Sequence, residues 1–526
     1  MQSNPPQPKP FHVLFFATYP ALALLAANAN QTAITDVLRP LLISWVLAGA
    51  IYVVFRLLLR HPARAALATT LTLIILLSYG HLYNGLKLIG LPGEIVVRHR
   101  FLLPVVLGLL AIALFLVARS TPSPQVASTL NLMGLVTIAL PAAALLLTLG
   151  RGALASSSTG GQPQPCSLHP SPGAPLPDVY FIVMDAYERD DVLREMHGSD
   201  ITPFLEWLEA RGFYIPRGGM SNYRHTELSI PSTLNMDYVQ SLLGTDTPPE
   251  EEGRWRMVKM ISDNRLRREL ECIGYSTVGI ETGVSWTEWD DADYFIAQDT
   301  DPLHNAGLVG TISPFEGKFL DTTAARAVLD AFRSRQGSAP VLLDPNQGTR
   351  GRILFAFDQL QRVPTLPSPK LVFVHILSPH PPFVFGPDGE AISQAEFETT
   401  FRSSGEAGIL QAYADQVTYL NTKLQATITA ILDSSSVPPV IVIEGDHGWA
   451  DRNHEDKLSN FNAIHLPFGG KAKLYPTLTP VNTFRIVLDE YFGGDFPLLK
   501  DVSYYSTEAA LFQLTEIPNT WPRPAP

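Results

Sequence analysis

The chain has 526 residues, 46% of them apolar, with 50 acidic against 38 basic side chains and two cysteines, which is too long for one ordinary domain. The first 150 residues carry nine Lys/Arg and two Asp/Glu, net +7, while the remainder is net −19, so two unlike halves are joined. The acidic second half excludes a nucleic-acid-binding surface, which needs a basic stripe, and Cys166 and Cys272 are too few for a disulfide scaffold or a thiolate zinc site, their own pairing being open.

Apolar stretches recur at 11–29, 38–59, 65–86, 101–118 and 130–149, each near the ~20 residues that a helix needs to cross ~30 Å of hydrocarbon. They predict five transmembrane helices over 1–150. The first is expected to stay as an anchor and not be cleaved as a signal, because another apolar span follows it. Arg56, Arg60 and Arg64 form the tightest basic cluster, and the positive-inside tendency places that short connection in the cytoplasm. An odd number of spans then leaves residue 150 outside, so the expected location is a multi-pass cell-membrane protein with an extracytoplasmic second half. The spans hold no row of ionisable residues of the kind a proton relay requires. His81 and Tyr83 read as interfacial side chains. Residues 151–177 are rich in Ser, Gly and Pro and predict an extended spacer.

From 178 the pattern changes to short apolar runs between amphipathic stretches, predicting a domain over 178–510 and a tail over 511–526. Residues 178–185, 370–377 and 438–444 read as strands whose near-continuous Val, Ile and Phe fit a sheet covered on both faces. Helical stretches are expected near 202–212, 226–240, 255–273, 347–362, 406–433 and 482–493, giving an α/β sandwich around a largely parallel sheet. In such sheets the site lies at the carboxyl ends of strands.

Asp185 ends the first of these strands, and the strand over 438–444 runs into Gly445-Asp446-His447-Gly448. An oxygen and an imidazole nitrogen on one turn suit Zn²⁺ or Mn²⁺ better than Mg²⁺. Between the strands, residues 221–235 are dense in hydroxyls, and a helix is expected to begin within them. A Thr or Ser at a helix start is placed to attack phosphorus or sulfur, since backbone N–H groups and the helix dipole stabilise an anionic substrate and a metal lowers the hydroxyl's pKa. An ordinary N-cap is the alternative.

Four signals in this order resemble the alkaline phosphatase superfamily, in particular its sulfatase-like membrane branch, which includes lipoteichoic acid synthases and phosphoethanolamine transferases. They are Asp185, Thr226-x-x-Ser229-x-Pro231, His380 in Ser378-Pro-His-Pro-Pro-Phe383, and Asp446-His447-Gly448. The resemblance covers 176–500. It implies that Asp185, Asp446 and His447 are metal ligands, that Thr226 is both ligand and covalent nucleophile, and that His380 contacts the substrate phosphate or a second metal. It further implies a divalent cofactor, zinc or manganese, and a membrane-lipid or envelope-glycan substrate. Asp185 departs from the Glu common in the transferases.

Secondary candidates are Arg224 and His225 flanking Thr226, which could neutralise substrate charge, and His454 and Lys457, which read more readily as solvated. His375 reads as a satisfied core residue, and the run around Trp286, Trp289, Asp290 and Asp291 as surface. The expected activity is metal-dependent phosphoryl transfer or phosphoester hydrolysis. Two alternatives stand beside it. A sulfatase would convert Ser229 to formylglycine, although Thr233 stands where that signature has Arg; a non-catalytic membrane sensor or scaffold would need none of this chemistry.

Overall fold

The computed structural model describes residues 9–28, 34–88, 98–158, 166–244, 249–298, 314–333, 345–449 and 452–522. The chain forms two compact units, 1–151 with 299–345, and 152–298 with 346–526.

The first unit contains the five expected N-terminal helices, His12–Ala27, Leu38–Leu59, Pro62–Leu88, His99–Arg119 and Pro124–Ser158. Four apolar stretches, Thr35–Leu59, Pro62–Lys87, His99–Arg119 and Pro124–Leu147, are long enough to cross a membrane. The first helix has 16 residues, about 24 Å at the α-helical rise. The sequence did not foreshadow that residues 299–345 belong with this unit. Within that segment the helices Pro314–Thr322 and Ala325–Arg333 pack against the third N-terminal helix. Glu316 pairs with Arg39, Asp330 Oδ2 lies 2.8 Å from His99 Nε2, and Ala324 N donates to Leu76 O over 2.7 Å. A Cβ at Gly80 would stand 2.1 Å from Asp321 O, so only glycine permits this approach.

The second unit is built on a six-stranded sheet in the order β3-β2-β4-β1-β5-β6: β1 Val179–Met184, β2 Ser276–Ile280, β3 Tyr294–Ile296, β4 Lys370–Ile376, β5 Val440–Glu444 and β6 Asn462–His465. Only β6 runs antiparallel to its neighbour. The three strands read from the sequence are the central ones, because each is buried on both faces and so has no polar alternation. Tyr180, Ile182 and Met184 enter one core, while Val179, Phe181 and Val183 enter the other. Burying each such side chain contributes about 1.5–3 kcal/mol. Strands β2, β3 and β6, of 5, 3 and 4 residues, are too short to leave a periodic signal in the sequence.

The helices follow the expected pattern with altered ends. The stretch 255–273 is two helices, Glu250–Ser262 and Arg265–Cys272, interrupted where the Asn264 side chain caps the second by accepting from Arg267 N. The stretch 406–433 belongs to Gln394–Ser434, whose backbone breaks at Gly405 with φ of 56°.

The ends of the second unit are more ordered than a spacer and a tail would be. Cys166 and Cys272 form a disulfide, Ser167 N donates to Glu269 over 3.0 Å, and Leu168 is buried. At the other end Ser503–Thr507 (β7) and Ala510–Ile517 (β8) pair as an antiparallel hairpin.

Candidate metal centre and nucleophile

The chemistry-bearing residues gather at the carboxyl ends of β1, β4 and β5. Asp185 extends the ladder beyond β1, its N–H donating to Ile376 O over 2.9 Å. His375 sits in register with Val183 on the neighbouring strand. Asp446 follows β5 by one glycine, and that glycine is required: a Cβ at Gly445 would stand 2.2 Å from Tyr187 O. The close approach brings the β1 and β5 loops together, and Asp446 Oδ1 accepts from Ala186 N over 2.9 Å and from His447 N over 3.0 Å.

One atom of each residue is left facing the others. Asp185 Oδ1, His375 Nε2 and Asp446 Oδ2 are buried without a hydrogen-bond partner, and Asp185, His375 and Asp446 offer ligand atoms within 4.8 Å of one another. Buried orphaned polar atoms are costly, and two carboxylates facing two imidazoles form the N/O donor set that zinc and manganese accept. The residues therefore fit a divalent cation. His447 Nε2 borders the same space, 3.5 Å from Asp446 Oδ2 and 3.9 Å from Asp185 Oδ1.

Hydrogen bonds outside the cluster set both imidazole tautomers. His447 Nδ1 lies 2.9 Å from Gly448 O, a pure acceptor, so Nδ1 carries the proton and Nε2 a lone pair. His375 Nδ1 lies 3.0 Å from Thr287 Oγ1. Because that hydroxyl donates its hydrogen to Val284 O, it accepts from Nδ1–H, and Nε2 is the ring nitrogen turned to the cluster, where the Asp185 carboxylate, against burial, raises the imidazole pKa. His375 was read as a satisfied core residue; it is buried, but its Nε2 is unsatisfied and aimed at Asp185, 3.5 Å away. The available signal was a lone imidazole at the carboxyl end of an otherwise apolar strand.

Charge follows the same geometry. Burial raises the Asp185 pKa, but the imidazoles of His380, His375 and His447 outweigh it and hold the carboxyl below its usual range. Burial lowers His447, against the pull of Asp446, which keeps that ring neutral. Burial pushes Glu444 at the end of β5 up to about 8, with Asp446 adding to the effect, while Thr233 Oγ1 donates to it over 3.2 Å.

Thr226 is the first residue of the helix Thr226–Asn235. Its Oγ1 lies 3.3 Å from His447 Nε2 and, facing a lone pair, is the donor. Ser229, one turn on, is buried at 1% exposure. Its hydroxyl donates to Asp446 O over 2.7 Å and stands 3.0 Å from Ser221 Oγ, so it fastens the helix to the Asp446 turn. The far end of this helix is held by Arg485 of the helix Pro480–Phe492. Its Nε donates to Met236 O over 2.8 Å.

His380 enters through its backbone, donating to Asp185 O over 3.0 Å, while its Nδ1 is committed to Pro381 O at 2.7 Å. Arg224 and His454 converge on Tyr505 of the β7–β8 hairpin. The guanidinium lies 4.8 Å above the ring and the His454 ring 3.6 Å from it, centroid to centroid. His225 lies 3.2 Å from Ser506 O, and burial together with Arg224 drops its pKa to about 4. His225 is thus neutral near pH 7, and of the two flanking residues only Arg224 brings positive charge. Lys457 donates to Trp449 O over 3.2 Å. Asp290 and Asp291 are exposed as expected, but Trp289 between Trp286 and them is fully buried and donates to Ile261 O over 2.7 Å.

No family model and no curated protein matches the sequence. Among solved structures, the chain is similar to the C-terminal periplasmic domain of EcEptC from Escherichia coli, with 11% identity and a TM-score of 0.41 over 66% of this chain and 95% of that one. It is also similar to the integral membrane lipooligosaccharide phosphoethanolamine transferase A from Neisseria meningitidis, with 12% identity and a TM-score of 0.39 over 91% and 95%. The lipoteichoic acid synthase LtaP from Listeria monocytogenes shares 13% identity and a TM-score of 0.33 over 57% and 69%.

Proposed function

We propose that the protein is a metal-dependent enzyme that moves a phosphoryl-bearing group from or to a membrane lipid or envelope glycan through a covalent Thr226 intermediate. The observation that carries this reading is the Thr226 hydroxyl at a helix start, 3.3 Å from a neutral His447 Nε2 and beside two buried carboxylates. Asp185, His375, Asp446 and His447 would hold the divalent cation, zinc or manganese, whose positive charge when bound favours the ionised hydroxyl near neutral pH. Thr226 Oγ bonds to phosphorus as the bond from phosphorus to the leaving alcohol oxygen breaks. The proton it gives up is matched by the one that the leaving alcohol oxygen takes up, so the displacement balances without a proton on His447, whose Nε2 lone pair would be held by the cation. His380, with Nδ1 donating to Pro381 O, would contact a phosphate oxygen only as the imidazolium, in which both ring nitrogens donate, and Arg224 adds charge next to the nucleophile. A second displacement by an acceptor alcohol or by water frees Thr226.

The rival nucleophile, Ser229, is buried and has its hydrogen bonded to Asp446 O, which favours Thr226 and weighs against a formylglycine sulfatase. The membrane helices support a lipid or envelope substrate. The Cys166–Cys272 disulfide supports an extracytoplasmic second unit, because such bonds persist in oxidising compartments. The test is to incubate the purified full chain with an aryl phosphodiester and map any adduct by peptide mass. Phosphate on Thr226, absent in Thr226→Ala, is expected; formylglycine at 229, or an adduct elsewhere, overturns the reading.

A further inference from the structure

The membrane unit holds a second polar site, at the opposite ends of its helices from the point where the chain leaves at residue 150. A cavity of about 250 Å³ is lined by Lys9, His12, Pro62, Ala66, Pro124 and Ala127, among others. It lies where the chain enters the first helix, turns from the second into the third, and turns from the fourth into the fifth. Residues of all three points line this one cavity.

The cavity is built and polar at one end. Asn131 of the fifth helix clamps the entering chain, its Nδ2 donating to Lys9 O over 2.9 Å and its Oδ1 accepting from His12 N over 2.7 Å, which fixes Lys9 at the rim. His12 is 1% exposed, with Nδ1 2.7 Å from Thr70 Oγ1. Arg64 Nε ties the second connection to the fourth by donating to Ser120 O over 2.7 Å. The third and fifth helices both begin at the cavity wall, with Pro62 and Pro124 as their first residues, so the positive ends of two helix dipoles point at it. Ala66, Leu67, Val126 and Leu130 form the apolar remainder.

The charge on this face has one sign. Lys9, Arg56, Arg60, Arg64 and Arg119 lie here, while Asp36, just before the start of the second helix, belongs to the other face. Among the described residues, no ion pair joins any of these five cations to a carboxylate. The volume is below the roughly 300 Å³ at which pockets for drug-sized ligands begin, so it suits a headgroup with the start of its chains and not a whole lipid.

We infer that this cavity binds the headgroup of an anionic phospholipid, with its phosphate between Lys9 and the two helix starts and its glycerol end against the alanine and leucine wall. The inference is independent of the catalytic reading and concerns the other face of the membrane unit. It is tested on the purified full chain in bilayers of phosphatidylcholine and phosphatidylglycerol in equal amounts, with retained lipid counted by native mass spectrometry. The wild-type chain should retain phosphatidylglycerol in excess. Lys9→Gln should lower that preference about fivefold, the loss expected from one surface cation near anionic lipid, and Ala127→Trp, which fills the cavity and leaves every cation in place, should abolish it. Equal retention of the two lipids by the wild-type chain, or an unchanged preference in both variants, overturns the proposal. So does displacement of the bound lipid by inorganic phosphate, which would make the cavity a free-anion pocket.

Discussion

Replacing His375 with alanine separates the two roles that its position allows. As a packing residue, the buried ring would cost about 2–4 kcal/mol of stability on truncation, within the range for large-to-small core substitutions, and metal content would not change. As a ligand, its loss must exceed the ten- to hundredfold that changes behind a ligand cost, so the dissociation constant should rise more than ~100-fold, about 2.7 kcal/mol. The apo site has its own penalty, because Asp185 and Asp446 oxygens within 4.8 Å repel by about 3 kcal/mol at an effective dielectric near 20. Chelation should therefore lower the unfolding midpoint of the wild-type chain and leave His375→Ala nearly unmoved. Thr287→Val, which removes the Nδ1 partner at 3.0 Å, should weaken the metal by the smaller ten- to hundredfold amount. The assay is zinc and manganese content by elemental analysis after dialysis against metal buffers, alongside thermal unfolding with and without chelator. Wild-type affinity and stoichiometry in His375→Ala would refute the assignment.

Thr226→Ala should bind metal normally and show no turnover, whereas Ser229→Ala should keep part of its activity and lose about 1–2 kcal/mol from its buried hydrogen bonds; steady-state rates and metal content check both. Asp446→Asn should lose metal while its fold survives, and full occupancy by elemental analysis would show the site to be wrongly assigned. His465, at the end of β6, has its pKa lowered by burial, so the unfolded chain takes up its proton first. Stability attributable to this residue is intact above the ordinary imidazole pKa of about 6.5 and falls as pH drops below it. Denaturation of wild type and His465→Gln at pH 7.5 and 5.5 should show the smaller acid loss in the variant. A reporter fused after Gly160 should behave as extracytoplasmic, and a cytoplasmic readout would overturn the topology and with it the envelope substrate.

Local pattern is enough to reveal five apolar helices, an α/β sandwich and its three central strands, since burial on both faces leaves a continuous apolar run. It also indicated Asp185, Thr226, Asp446 and His447, because a strand-end acid, a hydroxyl at a helix start and a glycine-flanked Asp-His turn are local signals. What depends on pairing across distance is set by the packed chain. The direction of His375 is set by Thr287, 88 residues away, and by register with β1. Ser229 is withdrawn from solvent by Asp446 O, 217 residues on. The grouping of 299–345 with the N-terminal helices and the pairing of Cys166 with Cys272 are likewise set by which surfaces meet. A side chain's type is local, whereas whether its polar atom finds a partner depends on every segment packed around it.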